Sequence, residues 1–291
     1  MSTDERSSMN EADQLLSAGY CHLPGAIQGS DLAQLDAETN ALAQRATNIL
    51  RSIRDQACSY AEYYQRSGER FIAVAESGNP LQTCRYEYIK GSSALFRDSI
   101  IPTCQARLEA ITHRRFSLLK DKCNMKSPGG GAFTAHQDIL AYVDFGPTLH
   151  VTAALFVDPA TPENGALQFS SNYLELHSPL LQWRDTELGR FPIFPIYQGG
   201  ASNGRILAEL EEQLTWKTVC AEPGDVLLFN SYVPHRSDTN RSKRTRRAFF
   251  FTFNLAPAGD HYEEYYRSKR ADFGNPRFHI ATPTSHSTAA R

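Results

Sequence analysis

The stretch Ala132-Phe-Thr-Ala-His136-Gln137-Asp138 and, nearly a hundred residues later, Asn230-Ser-Tyr-Val-Pro-His235-Arg236-Ser237 contain the side chains best suited to hold a reactive metal. In an extended chain residues i and i+2 project to the same side, so His136 and Asp138 converge while Gln137 points elsewhere. With His235, two imidazoles and one carboxylate occupy three adjacent positions of an octahedron. The opposite positions stay open for a bidentate co-substrate and O2, an arrangement that suits Fe(II). Alone, H-x-D also arises by chance on a surface. Here the Glu222-Pro-Gly-Asp225 turn and the apolar run Val226–Phe229 describe a strand that delivers His235 at its end. His22, His113, His150, His177, His261, His279 and His286 lack a comparable carboxylate spacing and read as structural, His150 least securely.

The elements that must position these residues fall into two kinds. Asn10–Ala18 reads as a short helix, followed by a strand to the Pro24-Gly25 turn. Ser30 or Asp31 is placed to cap a longer helix in which Leu32, Leu35, Leu42, Ala46 and Ile49 recur along one face. Another helix is predicted near Ala94–Leu108. From Phe116 onward short runs rich in aromatic and branched residues alternate with Gly, Pro, Asn and Asp: Leu149–Val157, Ala166–Ser170, Val219–Cys220, Val226–Asn230 and Ala248–Asn254. This predicts a mainly β fold with flanking helices around a double-stranded β-helix, a jelly-roll, cupin-like core. One domain over 1–291 is expected, with helical support over about 10–115, the barrel over about 116–256 and a C-terminal helix and tail over 257–291. Gln182–Leu214 interrupts the rhythm and reads as a long loop with a short helix, a candidate lid. Ile280–Arg291 reads as a frayed tail.

Composition narrows the classes further. A formal charge of −2 with both signs mixed throughout gives no footprint for nucleic acid or an anionic membrane, leaving a small molecule as the expected partner. No apolar run approaches the roughly 20 residues of a membrane span, and no secretory leader is legible, so the expected location is cytoplasmic. Cys21, Cys58, Cys84, Cys104, Cys123 and Cys220 are scattered without a C-x-x-C pair and read as buried or semi-buried free thiols.

The succession of a helix–strand opening, P-G-G-G-A-F-T-A-H-Q-D from Pro128, A-T-P-E-N-G from Ala160, P-G-D-V-L-L-F-N-S-Y-V-P-H-R-S from Pro223 and then an Arg pair resembles the phytanoyl-CoA dioxygenase family of Fe(II)/2-oxoglutarate oxygenases. The likeness spans most of the chain. The wording around Asn230–Ser237 and Tyr265-Tyr-Arg-Ser-Lys-Arg270 is most similar to the branch acting on small zwitterions such as 2-aminoethylphosphonate. The resemblance implies Fe(II), 2-oxoglutarate and O2, with His136, Asp138 and His235 as iron ligands. The distal carboxylate of 2-oxoglutarate calls for a guanidinium fork. Arg246, eleven residues after His235, stands at the spacing the resemblance implies, Arg247 should face the other way, and Ser237 is implied as a partner to the same carboxylate. Asn124 and Thr152, on strands flanking the H-x-D segment, are either further polar contacts to the co-substrate or ordinary barrel hydrogen bonds.

On the substrate side, Arg85 and Lys122 are candidates to receive an anionic group. Lys120, Lys122 and Lys126 share one face of a strand, which either points into the site or, as lysine stripes usually do, faces solvent and protects an edge. The activity implied is oxidation of an unactivated C–H bond of an amino-acid-like or aminophosphonate substrate, hydroxylation by default, with desaturation or ring closure by nitrogen (an aziridine) using the same ligands. Asp138 speaks against a halogenase, which needs that position for halide. The alternatives are an oxygenase of an acyl-CoA or secondary metabolite, a cupin-type iron dioxygenase without 2-oxoglutarate, against which Arg246 argues, and a non-catalytic jelly roll.

Overall fold

In the computed structural model, residues 10–76, 78–142 and 148–273 are described. The chain opens with α1 (Glu11–Ser17), whose N-cap Asn10 accepts from the Asp13 amide, then β1 (Tyr20–Leu23) and the long α2 (Gly29–Asp55). The residue before α2 is Gln28, which makes no side-chain cap. Ser30 and Asp31 fall inside the first turn, where Asp31 complements the helix dipole and accepts from the Ser99 hydroxyl instead of capping. Next come α3 (Tyr60–Ser67), the hairpin β2 (Ile72–Glu76) and β3 (Asn79–Glu87), and a π-turn at Phe96–Ile100 that runs into α4 (Ile101–Thr112).

The strands that follow are β4 (Phe116–Lys126), β5 (Phe133–His136), β6 (His150–Phe156), β7 (Leu167–Ser170), β8 (Gln182–Thr186) and β9 (Gly189–Ile193). After the one-turn α5 (Ala208–Glu211) come β10 (Trp216–Val219), β11 (Val226–Asn230), β12 (His235–Ser237), β13 (Arg246–Leu255) and finally α6 (Tyr262–Ala271). The larger sheet runs β1-β11-β6-β13-β4-β3-β2 and the smaller β10-β7-β12-β5, with every pairing antiparallel. The two sheets form the jelly roll that the strand pattern predicts.

Helices therefore do not simply precede the barrel. The region expected to be helical support supplies β1, β2 and β3, which sit at both ends of the larger sheet. The segment Ile280–Arg291 lies outside the described residues. Among the described residues no helix is long and apolar enough to cross a membrane. All six cysteines are free, and Cys220 is exposed rather than covered as expected, because it follows the end of the edge strand β10.

Strict alternation on the central strands builds two cores. On β6 and β13, Val151, Ala153, Leu155, Phe249, Phe251 and Phe253 face the helices and join Leu35, Leu42, Ala46 and Ile49 of α2. The intervening Ala154, Phe156, Ala248 and Phe250 face the second sheet and meet Leu167, Phe169, Leu227 and Phe229. A sheet buried on both sides needs near-continuous apolar strands, which is why β6 and β11 carry no charge.

Candidate active site

Residues directly opposed on neighbouring strands share a face, so the register fixes what enters the space between the sheets. Arg246 lies opposite Lys126, Ala248 opposite Asn124, Phe250 opposite Lys122 and Thr252 opposite Lys120. One strand further, Arg85 opposes Asn124 and Glu87 opposes Lys122. Because Ala248 and Phe250 point inward, this whole polar set points inward with them. The lysine stripe is thus not the solvent-facing edge that lysines usually make. β4 is an inner strand, flanked by β3 and β13, and Lys120 and Lys126 are buried.

From the opposite sheet, β12 pairs with β5 so that His235 and His136 stand side by side, their ring centroids 4.2 Å apart. Asp138 begins a 3-10 turn just beyond β5, and one ligand atom from each of His136, Asp138 and His235 lies within 4.8 Å of the others. The Nδ1 of His136 lies 2.7 Å from the Thr134 carbonyl and that of His235 lies 3.1 Å from the Val233 carbonyl. A carbonyl only accepts, so both Nδ1 atoms carry the proton and both Nε2 atoms keep a free lone pair. Burial, helped by the neighbouring His235, pushes His136 down to about 3, and burial likewise lowers His235. Burial opposes the charge of Asp138, but His235, Lys120, His136 and Lys122 outweigh it and hold the carboxyl at about 2. Two neutral imidazoles and one anionic carboxylate at a single point are the donor set of a divalent metal site.

The chamber around the triad is lined by Arg85, Glu87, Lys120, Lys122, Asn124, Ser237, Arg246 and Lys269, with Phe133, Phe229, Phe250 and Tyr265 as apolar walls. Arg246 is 2 % exposed; its Nη1 donates to the Gly165 carbonyl at 2.8 Å, while its buried Nε has no partner. A buried guanidinium with an unused donor is the fit expected for a bound carboxylate. Gly165 can be only glycine. Its φ is +76°, and a Cβ there would lie 2.2 Å from the Asp238 carbonyl oxygen. Ser237 lines the same chamber and accepts from Nζ of Lys126, the residue opposite Arg246, at 2.7 Å. Arg247 faces outward to Asp158, with Nη2 2.6 Å from Oδ1, and to Asp36 at 2.7 Å.

Of the sequence candidates, the structure gathers His136, Asp138, His235, Arg246, Ser237, Asn124, Arg85 and Lys122 around one chamber. Thr152 is the exception. It shares the inward face, but its hydroxyl pairs with that of Thr252 at 3.0 Å and it does not line the chamber, so it is an ordinary barrel hydrogen bond. Glu87, Tyr265 and Lys269 were given no role by sequence reasoning. Lys269 Nζ donates to both oxygens of Glu87 at 2.7 and 2.8 Å, and Arg85 Nε lies 2.9 Å from the same carboxylate. The i+2 spacing of Glu87 from Arg85 and the i+4 spacing of Lys269 from Tyr265 were the available signals. His150 is fully buried with no hydrogen bond to either ring nitrogen and packs on Tyr142, outside the chamber lining.

Gln182–Leu214, expected as a loop over the site, consists of the β8–β9 hairpin and α5, with Phe191, Phe194, Ile206 and Leu210 buried in the inter-sheet core. It is stitched to the neighbours of the triad. Gln137, between His136 and Asp138, donates to the Pro192 carbonyl at 2.8 Å and to the Tyr232 carbonyl, and accepts from the Phe194 amide at 2.8 Å. The Ile206 amide donates to Ala135 O at 2.9 Å, and Arg236, next to His235, pairs with Glu211 of α5 at 3.4 Å. Gln137→Ala would strand these groups, a cost of about 3 kcal/mol, or on the order of 5–10 °C in Tm. Iron affinity should fall about 10- to 100-fold, as for other groups that orient metal ligands. Calorimetry and anaerobic Fe(II) titration check both, and an unchanged iron affinity would mean that the insertion does not position the triad.

A jelly roll with two imidazoles and one carboxylate at its mouth, and a buried arginine across the chamber, defines a non-haem Fe(II)/2-oxoglutarate-dependent dioxygenase. The chain belongs to the phytanoyl-CoA dioxygenase (PhyH) family, whose model matches residues 15–248. It is 38 % identical over 197 residues to a methylphosphonate hydroxylase of Gimesia maris, spanning 66 % of this chain and 66 % of that one. It is 36 % identical over 214 residues to a 2-aminoethylphosphonate dioxygenase of an uncultured bacterium, spanning 74 % of this chain and 71 % of that protein. Among solved structures, EctD from S. alaskensis with 2-oxoglutarate and 5-hydroxyectoine shares the fold at TM-score 0.60 and 17 % identity, covering 88 % of this chain and 80 % of that one. The epimerase SnoN, in complex with Fe3+, alpha ketoglutarate and nogalamycin RO, shares it at TM-score 0.56 and 17 % identity, covering 84 % and 82 %.

Proposed function

We propose that this protein hydroxylates a small phosphonate, with Fe(II) on His136, Asp138 and His235 and the distal carboxylate of 2-oxoglutarate on Arg246 and Ser237. The observation that carries the reading is the charge of the chamber. Arg85, Lys120, Lys122, Lys269 and Arg246 line it against only Glu87 and Asp138, while Arg236 at its edge is paired with Glu211 outside. Two metal charges would add to that excess, and one dianionic co-substrate would not cancel it, so a second compact dianion complements the site. The relatives named for methylphosphonate and 2-aminoethylphosphonate support a phosphonate.

When bound, iron and 2-oxoglutarate supply with O2 the oxidising power that turns a C–H into a C–OH while 2-oxoglutarate becomes succinate and CO2. The chain's own residues bind and aim. Arg85 and Lys122 stand where they can take phosphonate oxygens, held by Glu87 from below, while Phe229 and Phe250 exclude water beside the metal. Asn124 offers an amide between Arg85 and Ala248. Because the basic groups lie inside the barrel rather than on an open surface, the chamber suits a compact anion better than an acyl-CoA.

Succinate release with Fe(II), 2-oxoglutarate and O2 across small phosphonates tests this. Mass spectrometry separates hydroxylation, which adds one oxygen, from desaturation or ring closure, which remove two hydrogens. Turnover of phytanoyl-CoA with no phosphonate consumed would sink the reading. A pH dependence follows as well. Burial and the neighbouring Lys122 lower Lys120 to about 7, and burial lowers Lys269 to about 8 despite Glu87. A lysine is neutral above its pKa, so the free enzyme loses anion-binding charge as pH rises through this range. Expected is a fall in kcat/KM for the phosphonate between pH 7 and 9, checked with saturating 2-oxoglutarate.

A further inference from the structure

Resting on the phosphonate reading, we infer that Glu76 forms an ammonium subsite beside the iron chamber, which makes the substrate an amino-terminated phosphonate rather than a simple alkylphosphonate. Glu76 ends β2 and lines a second, smaller cavity with Cys84, Met125, Lys126, Gly130 and Gly131. Arg85, Asn124 and Phe133 line both this cavity and the iron chamber. These three residues therefore border both spaces.

Across both cavities there are three carboxylates. Asp138 belongs to the metal triad, and Glu87 is bound by Lys269 and Arg85. Alone of the three, the Glu76 carboxylate forms no hydrogen bond or ion pair among the described residues, although the residue is half-buried. The two cations that line this cavity are engaged elsewhere: Arg85 lies 2.9 Å from Glu87, and Lys126 donates to the Ser237 hydroxyl and the Asp238 carbonyl. Burial raises the Glu76 carboxyl, partly offset by Lys126, the direction of a carboxylate whose surroundings do not compensate its charge.

Arg85 gives the two subsites their relation. A phosphonate held at Arg85 and Lys122 has its carbon chain between the triad and the second cavity, and a short chain ending in an ammonium brings that cation toward Glu76. The charges then match group for group: phosphonate on the basic stripe, ammonium on the carboxylate that makes no ion pair. The substrates in the names of the two relatives, methylphosphonate and 2-aminoethylphosphonate, differ by an aminomethyl group, and Glu76 is the residue placed to tell them apart. A site built for a charged N–H donor rejects the analogue lacking it, because its acceptor is left unpaired.

The test compares 2-aminoethylphosphonate with ethylphosphonate, which has the same carbons and no amine, by succinate release from the iron-loaded full chain. The unsubstituted protein should favour the amine in kcat/KM. Glu76→Gln should shrink that ratio about tenfold or more through the KM of the amine substrate, and Glu76→Asp should keep part of it. The Glu76 side chain makes no hydrogen bond that the fold would lose, and its backbone pairing in β2 is kept in either variant. Should Glu76→Gln nonetheless fail to fold, the unsubstituted protein's own preference decides: no advantage for the amine overturns the subsite. A ratio unchanged in Glu76→Gln overturns it equally, while leaving the phosphonate reading standing. Absence of turnover with every phosphonate removes both.

Discussion

Alanine in place of His136, Asp138 or His235 is expected to abolish iron-dependent turnover while the jelly roll stays folded. The three ligand atoms lie within 4.8 Å of one another, and each of the two Nε2 lone pairs is freed by a carbonyl on the other ring nitrogen. Loss of one donor leaves two, so the effect should exceed the roughly 10- to 100-fold that follows loss of a group merely supporting a ligand. Fold survival is expected because the ligands sit at strand ends, and the cores are built from other side chains. Asp138→Ala should cost the most stability of the three, since Lys120 and Lys122 lose the nearby charge that favours their protonated forms. Anaerobic Fe(II) titration, turnover and circular dichroism measured on the same samples check these outcomes. Full activity with undiminished iron affinity in any one variant would remove that residue from the triad.

The second large effect concerns the arginine pair. Arg246→Ala is expected to raise the KM for 2-oxoglutarate tens- to several-hundredfold, with a much smaller change for the substrate. A charge-assisted pair lost from a buried site costs on the order of 2–4 kcal/mol, which is that range of affinity. Arg247→Ala should leave this KM nearly unchanged and lower thermal stability instead, because its guanidinium joins Asp158 to Asp36 on α2, away from the chamber. Reversal of the two phenotypes would mean that the roles of the two faces of β13 have been exchanged.

The metal candidates were legible because their information is local. H-x-D places two donors on one side of an extended segment, and the Pro-Gly-Asp turn followed by an apolar strand announces a third donor at the strand's end. Arg246 was singled out by the spacing from His235 that the family resemblance implies, and strand alternation then separated it from Arg247. What resisted reading depends on neighbours far away in the chain. Lysines at alternate positions of β4 would normally mark an exposed edge. Their burial depends on β3 pairing alongside, and the β2–β3 hairpin was not predicted as strands. Lys269 reaches Glu87 across 182 residues, a contact no spacing rule anticipates. Thr152 failed for the opposite reason: its face was right, but the hydroxyl on Thr252, brought opposite by register, had already claimed it.

The pairing of β1 with β11 also constrains how the protein is made. Tyr20 opposes Phe229, so the first strand leaves the ribosome long before the strand that will cover its backbone. At about 5–20 residues per second the wait is on the order of ten to forty seconds. During that time Tyr20–Leu23 is an unpaired apolar segment that holding chaperones can bind, and such sequence-distant pairing makes folding slow as well. Metal capture is bound to the same clock. A nascent chain carries His136 and Asp138 for about a hundred residues of synthesis before His235 exists, so the three-ligand set is complete only late in synthesis.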